Sequence, residues 1–321
     1  MNKRSLLSIL FFLTILGSSL LYVNLDCYVN APGYNDQPVN IIVKRGYSVK
    51  KIGKELVERN VIAHPKIFYL VHRLFFRGRT LQAGEYEIPA HASIREIIKM
   101  IHQGSVLVHK LTITEGITNK EVIDHIAAEN MLVGDITKEF HEGDFLADTY
   151  YYTYGESKMM VLNRIYKKSQ AIIEELWEKR QENLPISSKQ EAVTLASIVE
   201  KETGIASERP RIAGVFINRL KKKMKLQADP TVIYAVTQGQ YVFNREITLS
   251  DLKIKSPYNT YLYEGLPPTA IASPGRAAIE AVLNPMETNE LYFVANGKGG
   301  HNFSASLSDH NNHVRNYRNA Q

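Results

Sequence analysis

The sequence predicts an α+β fold in three parts: an N-terminal transmembrane helix, a small α+β module and a larger C-terminal mixed α+β domain. Three observations predict it. Ser5 to Val23 is an uncharged, strongly apolar run. Residues 40–104 read in the order strand, helix, helix, strand, helix. Residues 105–321 mix amphipathic helical patterns with a few short strands, and no segment repeats. The expected parts are a cytoplasmic tip and anchor over 1–24, a linker over 25–39, the module over 40–104 and the C-terminal domain over 105–321.

The chain has 321 residues, 44% hydrophobic and 22% charged, enough for about two packed domains. Its net charge of +6 suits an anionic neighbour such as a lipid headgroup or a wall polymer. The charge is diffuse and no zinc-finger or RNP-type motif is present, so nucleic acid is not an expected partner. Cys27 is alone, which excludes an internal disulfide and any multi-cysteine metal site. No cofactor is expected.

The N-terminus sets the compartment. Lys3 and Arg4 precede the apolar run, which carries Leu6, Ile9, Phe11, Phe12, Leu16 and Leu20 among others. A bilayer core of ~30 Å needs roughly 20 such residues as a helix. Basic residues on that side favour a cytoplasmic N-terminus. The rest of the chain is then expected outside the cytoplasmic membrane, held through residues 5–23. A cleaved signal peptide is the rival. Its apolar region is normally shorter, and Val29-Asn30-Ala31 is a poor cleavage site because Pro32 follows. Asp26 beside Cys27 argues against a lipoprotein site. Residues 24–39, rich in Asn, Asp, Pro and Gly, read as a spacer.

Within the module, Ile41-Ile-Val43 is a strand, and Ser48 N-caps a helix with Ile52, Leu56 and Val57 on its apolar stripe. His64-Pro65 opens a second helix with Phe68, Leu70, Val71 and Leu74. Ala83 to Ile88 is a strand, and Ser93 caps a helix through Ile94, Ile97, Ile98 and Ile101. This order resembles a LysM-like module, a small fold associated with binding N-acetylated glycans. A packing domain without a ligand fits the same pattern.

In the C-terminal domain, Val106 to Thr114 is a strand, and a helix starts near Asn119. Leu162 to Arg180 is a long amphipathic helix. Ser188 and Glu191 have capping-box spacing, and Gly204 supplies a stop, so a helix lies between them. Ala192, Val193, Leu195, Ala196, Ile198 and Val199 span its apolar face, with Thr194, Ser197 and Lys201 opposite. Glu200 and Glu202 both fall inside the apolar arc. A carboxyl among apolar groups loses solvation, so its pKa rises and it can hold a proton near neutral pH. The structural alternative is that both pair with Lys201 or Arg209. A second helix carries Ile212, Val215, Phe216 and Leu220. Asp229-Pro230 reads as N-cap and first helical residue. Ser256 to Tyr261 and Gly265 to Pro268 are stiff loops, and Leu291 to Phe303 is a hairpin with a Gly-rich tip.

The segments Leu195 to Thr203, Val215 to Leu220, Leu226 to Tyr234, Ser256 to Tyr261, Gly265 to Pro268 and Tyr292 to His301 resemble, in order, the YceG-like (MltG) endolytic lytic transglycosylases. The anchor and module resemble that family too. The resemblance implies that Glu200, the first Glu of Val-Glu-Lys-Glu-Thr, is the catalytic residue. Where the family usually has Pro before Asp-Thr-Tyr, this chain has Ala147.

The resemblance implies one carboxyl acting as acid and then base on peptidoglycan. It protonates the oxygen between N-acetylmuramic acid and N-acetylglucosamine, then deprotonates the muramic acid C6 hydroxyl, leaving a 1,6-anhydro end. Gln227, Asp229, Tyr258, Asn259 and His301 are candidate substrate contacts. Each has a structural alternative: Asp229 as a cap, Tyr258 and Asn259 as turn formers, His301 as a hairpin residue. Wall-synthesis proteins are implied partners by resemblance only. A non-catalytic glycan-binding scaffold and a hydrolytic muramidase are the alternatives. His301, His310 and His313 lie near the C-terminus, and zinc at a catalytic site usually needs three protein ligands, but the Asn- and Arg-rich flanks read as an exposed helix and no metal is expected.

Overall fold

The computed structural model describes residues 3–319. The chain divides into two compact units. One runs to His109 and takes in Tyr152–Gly155; the other holds Lys110–Tyr151 and the chain from Glu156 onward.

The first unit contains α1 (Lys3–Asn30), β1 (Val39–Val43), α2 (Val49–Glu58), α3 (Pro65–Phe75), β2 (Gly84–Ile88) and α4 (Ile94–Gln103). From β1 onward this is the strand, helix, helix, strand, helix order read from the sequence. β1 and β2 pair antiparallel, with Ile41 opposite Tyr86. The caps form as expected. Ser48 accepts the Lys51 N–H, and Ser93 makes a full capping box with Glu96. Gly104 ends α4 in the left-handed region at φ 67°, where a Cβ would be strained. Phe68, Tyr86, Ile52, Leu56, Ile97 and Ile101 fill the core.

Leu7–Asn30 of α1 is long and apolar enough to cross a membrane. The helix does not stop where the sequence suggested a spacer begins. It continues to Asn30 because Val29 is fully buried and Leu25 and Tyr28 pack against the same core. The Asn/Pro/Gly-rich stretch after it is bonded to the unit rather than free. The Gly33 N–H donates to His91 O and the Tyr34 N–H to Val61 O, both at 3.0 Å. The Asn35 amide donates to Pro89 O at 2.8 Å. Turn-forming residues marked a turn, and tertiary hydrogen bonds then fixed it.

The unit boundary falls inside β3 (Val108–Ile113) and β4 (Asp148–Thr153), which form a two-stranded sheet. The second unit adds α5 (Asn119–Ala128), α6 (Lys158–Glu178), α7 (Lys189–Glu202), α8 (Arg209–Lys221) and α9 (Asp229–Thr237). It continues through α10 (Arg276–Leu283), the hairpin β5 (Tyr292–Ala295) and β6 (His301–Ser304), and α11 (Leu307–Asn319). The hairpin and its Gly-rich tip lie where the sequence placed them.

α7 is the central element, packed by α6, α8, α9 and α10. Every residue from Ala192 to Glu200 is buried. The sequence placed Thr194 and Ser197 on an outer face, and the structure corrects this. Helices on all sides leave no outer face until Lys201, so small polar residues serve as core. Ser197 is satisfied there: its hydroxyl donates to Thr194 O at 2.7 Å and accepts the Ile271 N–H at 3.0 Å.

Three end signals also act differently. Ser188 caps α7 by accepting the Glu191 N–H, but the Glu191 carboxylate turns to the N–H and hydroxyl of Ser187, so the box is not reciprocal. Thr203, in extended conformation, ends α7, and Gly204 has no left-handed role. Ala228 is the N-cap of α9, which leaves the Asp229 carboxylate free of the capping role.

Candidate active site

Glu200 lies in the last turn of α7 and is 9% exposed. Both carboxylate oxygens are held. The Gly275 N–H, at the start of α10, donates to Oε2 at 2.8 Å. Arg209, the first residue of α8, donates from Nη2 to Oε1 at 3.2 Å. Burial pushes the Glu200 pKa up and outweighs the Gly275 hydrogen bond, which lowers it. Glu115 raises it further, and Arg209 opposes. The net is upward, toward a carboxyl that can carry a proton.

Two neighbours of Glu200, Glu115 and Lys201, border an opening. Glu115 stands in the turn between β3 and α5, with Oε2 3.6 Å from Arg209 Nη2. It edges a groove of about 500 Å³ that Lys201, Tyr234, Tyr241 and Phe243 also line. Lys201 is tied down there, donating to Gly116 O at 3.1 Å. A buried acid beside an open, aromatic-lined groove is suited to donate a proton to an extended ligand.

Ala147 is close to this arrangement. Its N–H donates to Pro274 O at 3.0 Å, one residue before Gly275. A proline at position 147 has no N–H for that bond.

The other sequence candidates each have hydrogen-bond partners of their own. The Asp229 carboxylate accepts from the Tyr261 hydroxyl at 2.6 Å. Glu202 is near it: desolvation, then the Asp229 charge, push Glu202 up to about 8 against the pull of Arg219. Gln227 is exposed at φ 52°, and its N–H donates to Thr260 O. His301 belongs to the hairpin and gives both its backbone N–H and ring Nδ1–H to Glu208, at 3.0 Å and 2.7 Å. Tyr258 packs against Tyr234 with the rings tilted by 52° and pairs its hydroxyl with Thr269 at 2.8 Å.

Asn259 has 0% of its surface exposed. Its amide donates to Leu252 O and Ile254 O, and its Oδ1 accepts the Tyr261 N–H. These bonds build the 252–261 turn, as the turn-former alternative expects. His313 bonds Ser304, and His310 stacks on Tyr292.

The sequence reading missed Glu115, Gly275 and Glu142. Burial pushes Glu142 up to about 7, against the hydrogen bond it accepts from the Asn119 N–H at the start of α5. Its only sequence signal was an acidic residue just before Gly143, which no periodicity marks. Arg209 was foreseen solely as a structural partner of the helix-end glutamates.

A mixed α+β domain that holds a desolvated carboxyl beside an open groove defines a candidate acid–base enzyme. The chain belongs to the YceG-like family, which matches residues 41–316. A Bacillus subtilis (strain 168) protein named endolytic murein transglycosylase is 30% identical, covering 85% of this chain and 83% of its own length. A protein of the same name from Streptococcus pneumoniae serotype 2 (strain D39 / NCTC 7466) is 28% identical over 99% of this chain. That alignment spans 66% of the pneumococcal protein. A crystal structure of a yceG-like protein from Listeria monocytogenes superposes with a TM-score of 0.54 at 29% identity, covering 86% of this chain and 98% of that one.

Proposed function

We propose that this protein is a membrane-anchored endolytic lytic transglycosylase that cleaves the β-1,4 bond between N-acetylmuramic acid and N-acetylglucosamine within peptidoglycan strands. The observation that carries the reading is Glu200, desolvated and pushed upward by burial, beside the groove that Glu115 borders. The names of the curated relatives agree with it.

Glu200 starts protonated. It gives its proton to the glycosidic oxygen, and the bond from C1 to that oxygen breaks with its electron pair going to the leaving sugar. The muramic acid C6 hydroxyl bonds to C1, and the Glu200 carboxylate takes the hydroxyl proton. The enzyme ends as it began, the product carries a 1,6-anhydro ring, and no water is consumed. A positioned acid/base of this kind contributes ~10²–10⁴-fold. Tyr241 and Phe243 give the groove flat apolar surface suited to sugar faces. The Gly275 amide and Arg209 hold the carboxylate form when the proton has left.

α1 anchors the chain through residues 5–23, with its N-terminus inside and the chain that follows extracytoplasmic. Residues 40–104 act as a LysM-like module that holds glycan. Wall-synthesis proteins are the expected protein partners.

The test uses the full chain in detergent micelles with purified peptidoglycan, wild type beside Glu200→Gln, and mass spectrometry of the released muropeptides. Products one water lighter than hydrolytic ones, from wild type alone, are expected. Reducing ends of normal mass would make the protein a muramidase. Binding without cleavage by wild type would make it a scaffold.

A further inference from the structure

A carboxyl beside an arginine is a poor acid, because an opposite charge within ~4–6 Å lowers its pKa by about 1–3 units. Glu200 accepts from both Arg209 and the Gly275 amide, and each contact favours the carboxylate. A general acid in this place needs an offset besides burial.

Glu115 supplies one by position. Arg209 Nη2 lies 3.2 Å from Glu200 Oε1 and 3.6 Å from Glu115 Oε2. One guanidinium nitrogen thus serves two carboxylates. Arg209 is 8% exposed, and its Nε is buried without a hydrogen-bond partner, so little solvent screens its charge. The two carboxylates also meet at Gly275. Glu115 Oε1 is 2.6 Å and Glu200 Oε2 3.2 Å from the point where a Cβ on that residue would sit. The Glu115 side chain is 54% exposed and borders the groove, whereas that of Glu200 is 3% exposed.

We propose that Glu115 is a positioning residue of the reaction: it shares the Arg209 charge with Glu200 and so leaves Glu200 able to hold the proton it donates. The proposal rests on the reading of Glu200 as the acid. The neighbouring charges do not supply the same offset. From α8 comes Arg209 alone. From the start of α10 comes the Gly275 amide, while Arg276 is paired with Glu175 at 2.8 Å. On α7 itself, Lys201 reaches Gly116 O, and Glu202 interacts with Asp229 and Arg219. The like charge on Glu200 comes from Glu115.

Removing that charge lowers the Glu200 pKa. The acid then loses its proton at lower pH, and the alkaline limb of the activity profile moves down. The full chain in micelles, labelled with ¹³C at glutamate carboxyls, gives the direct measurement. The Glu200 resonance is assigned by its loss in Glu200→Gln, and its titration is compared in wild type, Glu115→Gln and Glu115→Asp. The midpoint is expected to fall in Glu115→Gln and to return toward wild type in Glu115→Asp. Release of anhydro-ended product by Glu115→Gln should fall roughly tenfold more at about pH 8 than at about pH 5.5. A Glu200 midpoint unmoved by Glu115→Gln overturns the proposal. So does a loss of activity that is equal at every pH, since a purely structural role acts that way. If wild type yields no anhydro product, the functional reading fails by itself, and the titration still decides what Glu115 does.

Discussion

Gly275 donates its N–H to Glu200 Oε2 at 2.8 Å, and a Cβ on Gly275 would lie 3.2 Å from that same oxygen. The glycine is needed for space, because its φ of −79° is open to any residue. In Gly275→Ala the methyl meets the ends of two flexible side chains, Glu115 and Glu200. They can move aside, so the chain folds, but the acid is displaced from its amide. A shift of about 1 Å in a reacting group can cost 10²-fold. Gly275→Ala should therefore lose on the order of 10²-fold in muropeptide release while melting within a few degrees of wild type. Near-normal activity would show that the Gly275 contact does not position Glu200.

This contact also marks how far the sequence could be read. Glu200 was legible because a helical arc and a run of motifs both pointed to it. Its partners were not: Glu115 lies in a turn and Gly275 at the N-cap of α10, 85 and 75 positions away along the chain, and no local period encodes a meeting of that kind. The caps at Ser48 and Ser93 were legible because a cap is made within four residues. Asp229 was misread for the converse reason, since Ala228 can start α9 by backbone geometry alone and leave the carboxylate to Tyr261. Ser197 looked like a surface residue until four helices surrounded it. Asn259 was read as either a ligand contact or a turn former, and its amide is used within its own turn.

Glu202 gives a stability prediction with a definite sign. The residue keeps some surface in contact with solvent, but its carboxyl is desolvated, and this pushes its pKa up to about 8 from 4.5. The folded state thus binds the proton more tightly than the unfolded chain. Below about pH 4.5 both states are protonated, and Glu202 costs nothing by this route. As pH rises from there to about 8 the unfolded chain ionises first, and stability is lost. Glu202→Gln cannot ionise. Its melting temperature relative to wild type should rise by up to about 10 °C as pH rises from about 4.5 to 8, a pKa unit being worth ~1.4 kcal/mol and each kcal/mol roughly 2–4 °C. A difference constant across that range would place the Glu202 proton elsewhere.

Glu208 works in the opposite sense. Burial alone would raise it, but the ring and backbone hydrogen bonds from His301 outweigh burial and hold it below its ordinary value. Its contribution is present above the unfolded value of 4.5 and is lost as pH falls through the lower folded one. Glu208→Gln should destabilise the protein by about 1.5–3 kcal/mol near pH 7, the scale of a hydrogen bond to a charged group. The gap should close below about pH 4. Urea melts at the two pH values check it, and a gap that persists in acid would mean that the packing of Glu208, not its charge, matters.

Val29 tests whether the end of α1 is part of the first unit's core. It is 0% exposed and contacts a cluster that includes Ile41, Phe68 and Ile98, while Leu7 to Val23 on the same helix are open to their surroundings. One helix therefore pairs an exposed apolar stretch along its first turns with a protein core at its last. Val29→Ala removes two buried methyl groups at the second of these. At ~0.8 kcal/mol per buried carbon, plus the cavity left behind, it should cost roughly 1–3 kcal/mol. Val23→Ala, on the exposed stretch, should cost little in micelles. A chain begun at residue 40 loses Val29 and the first residue of β1 together, and its first unit should melt below that of a chain begun at residue 24. Equal melting of the two truncations would show that the last turns of α1 contribute nothing to the core they touch.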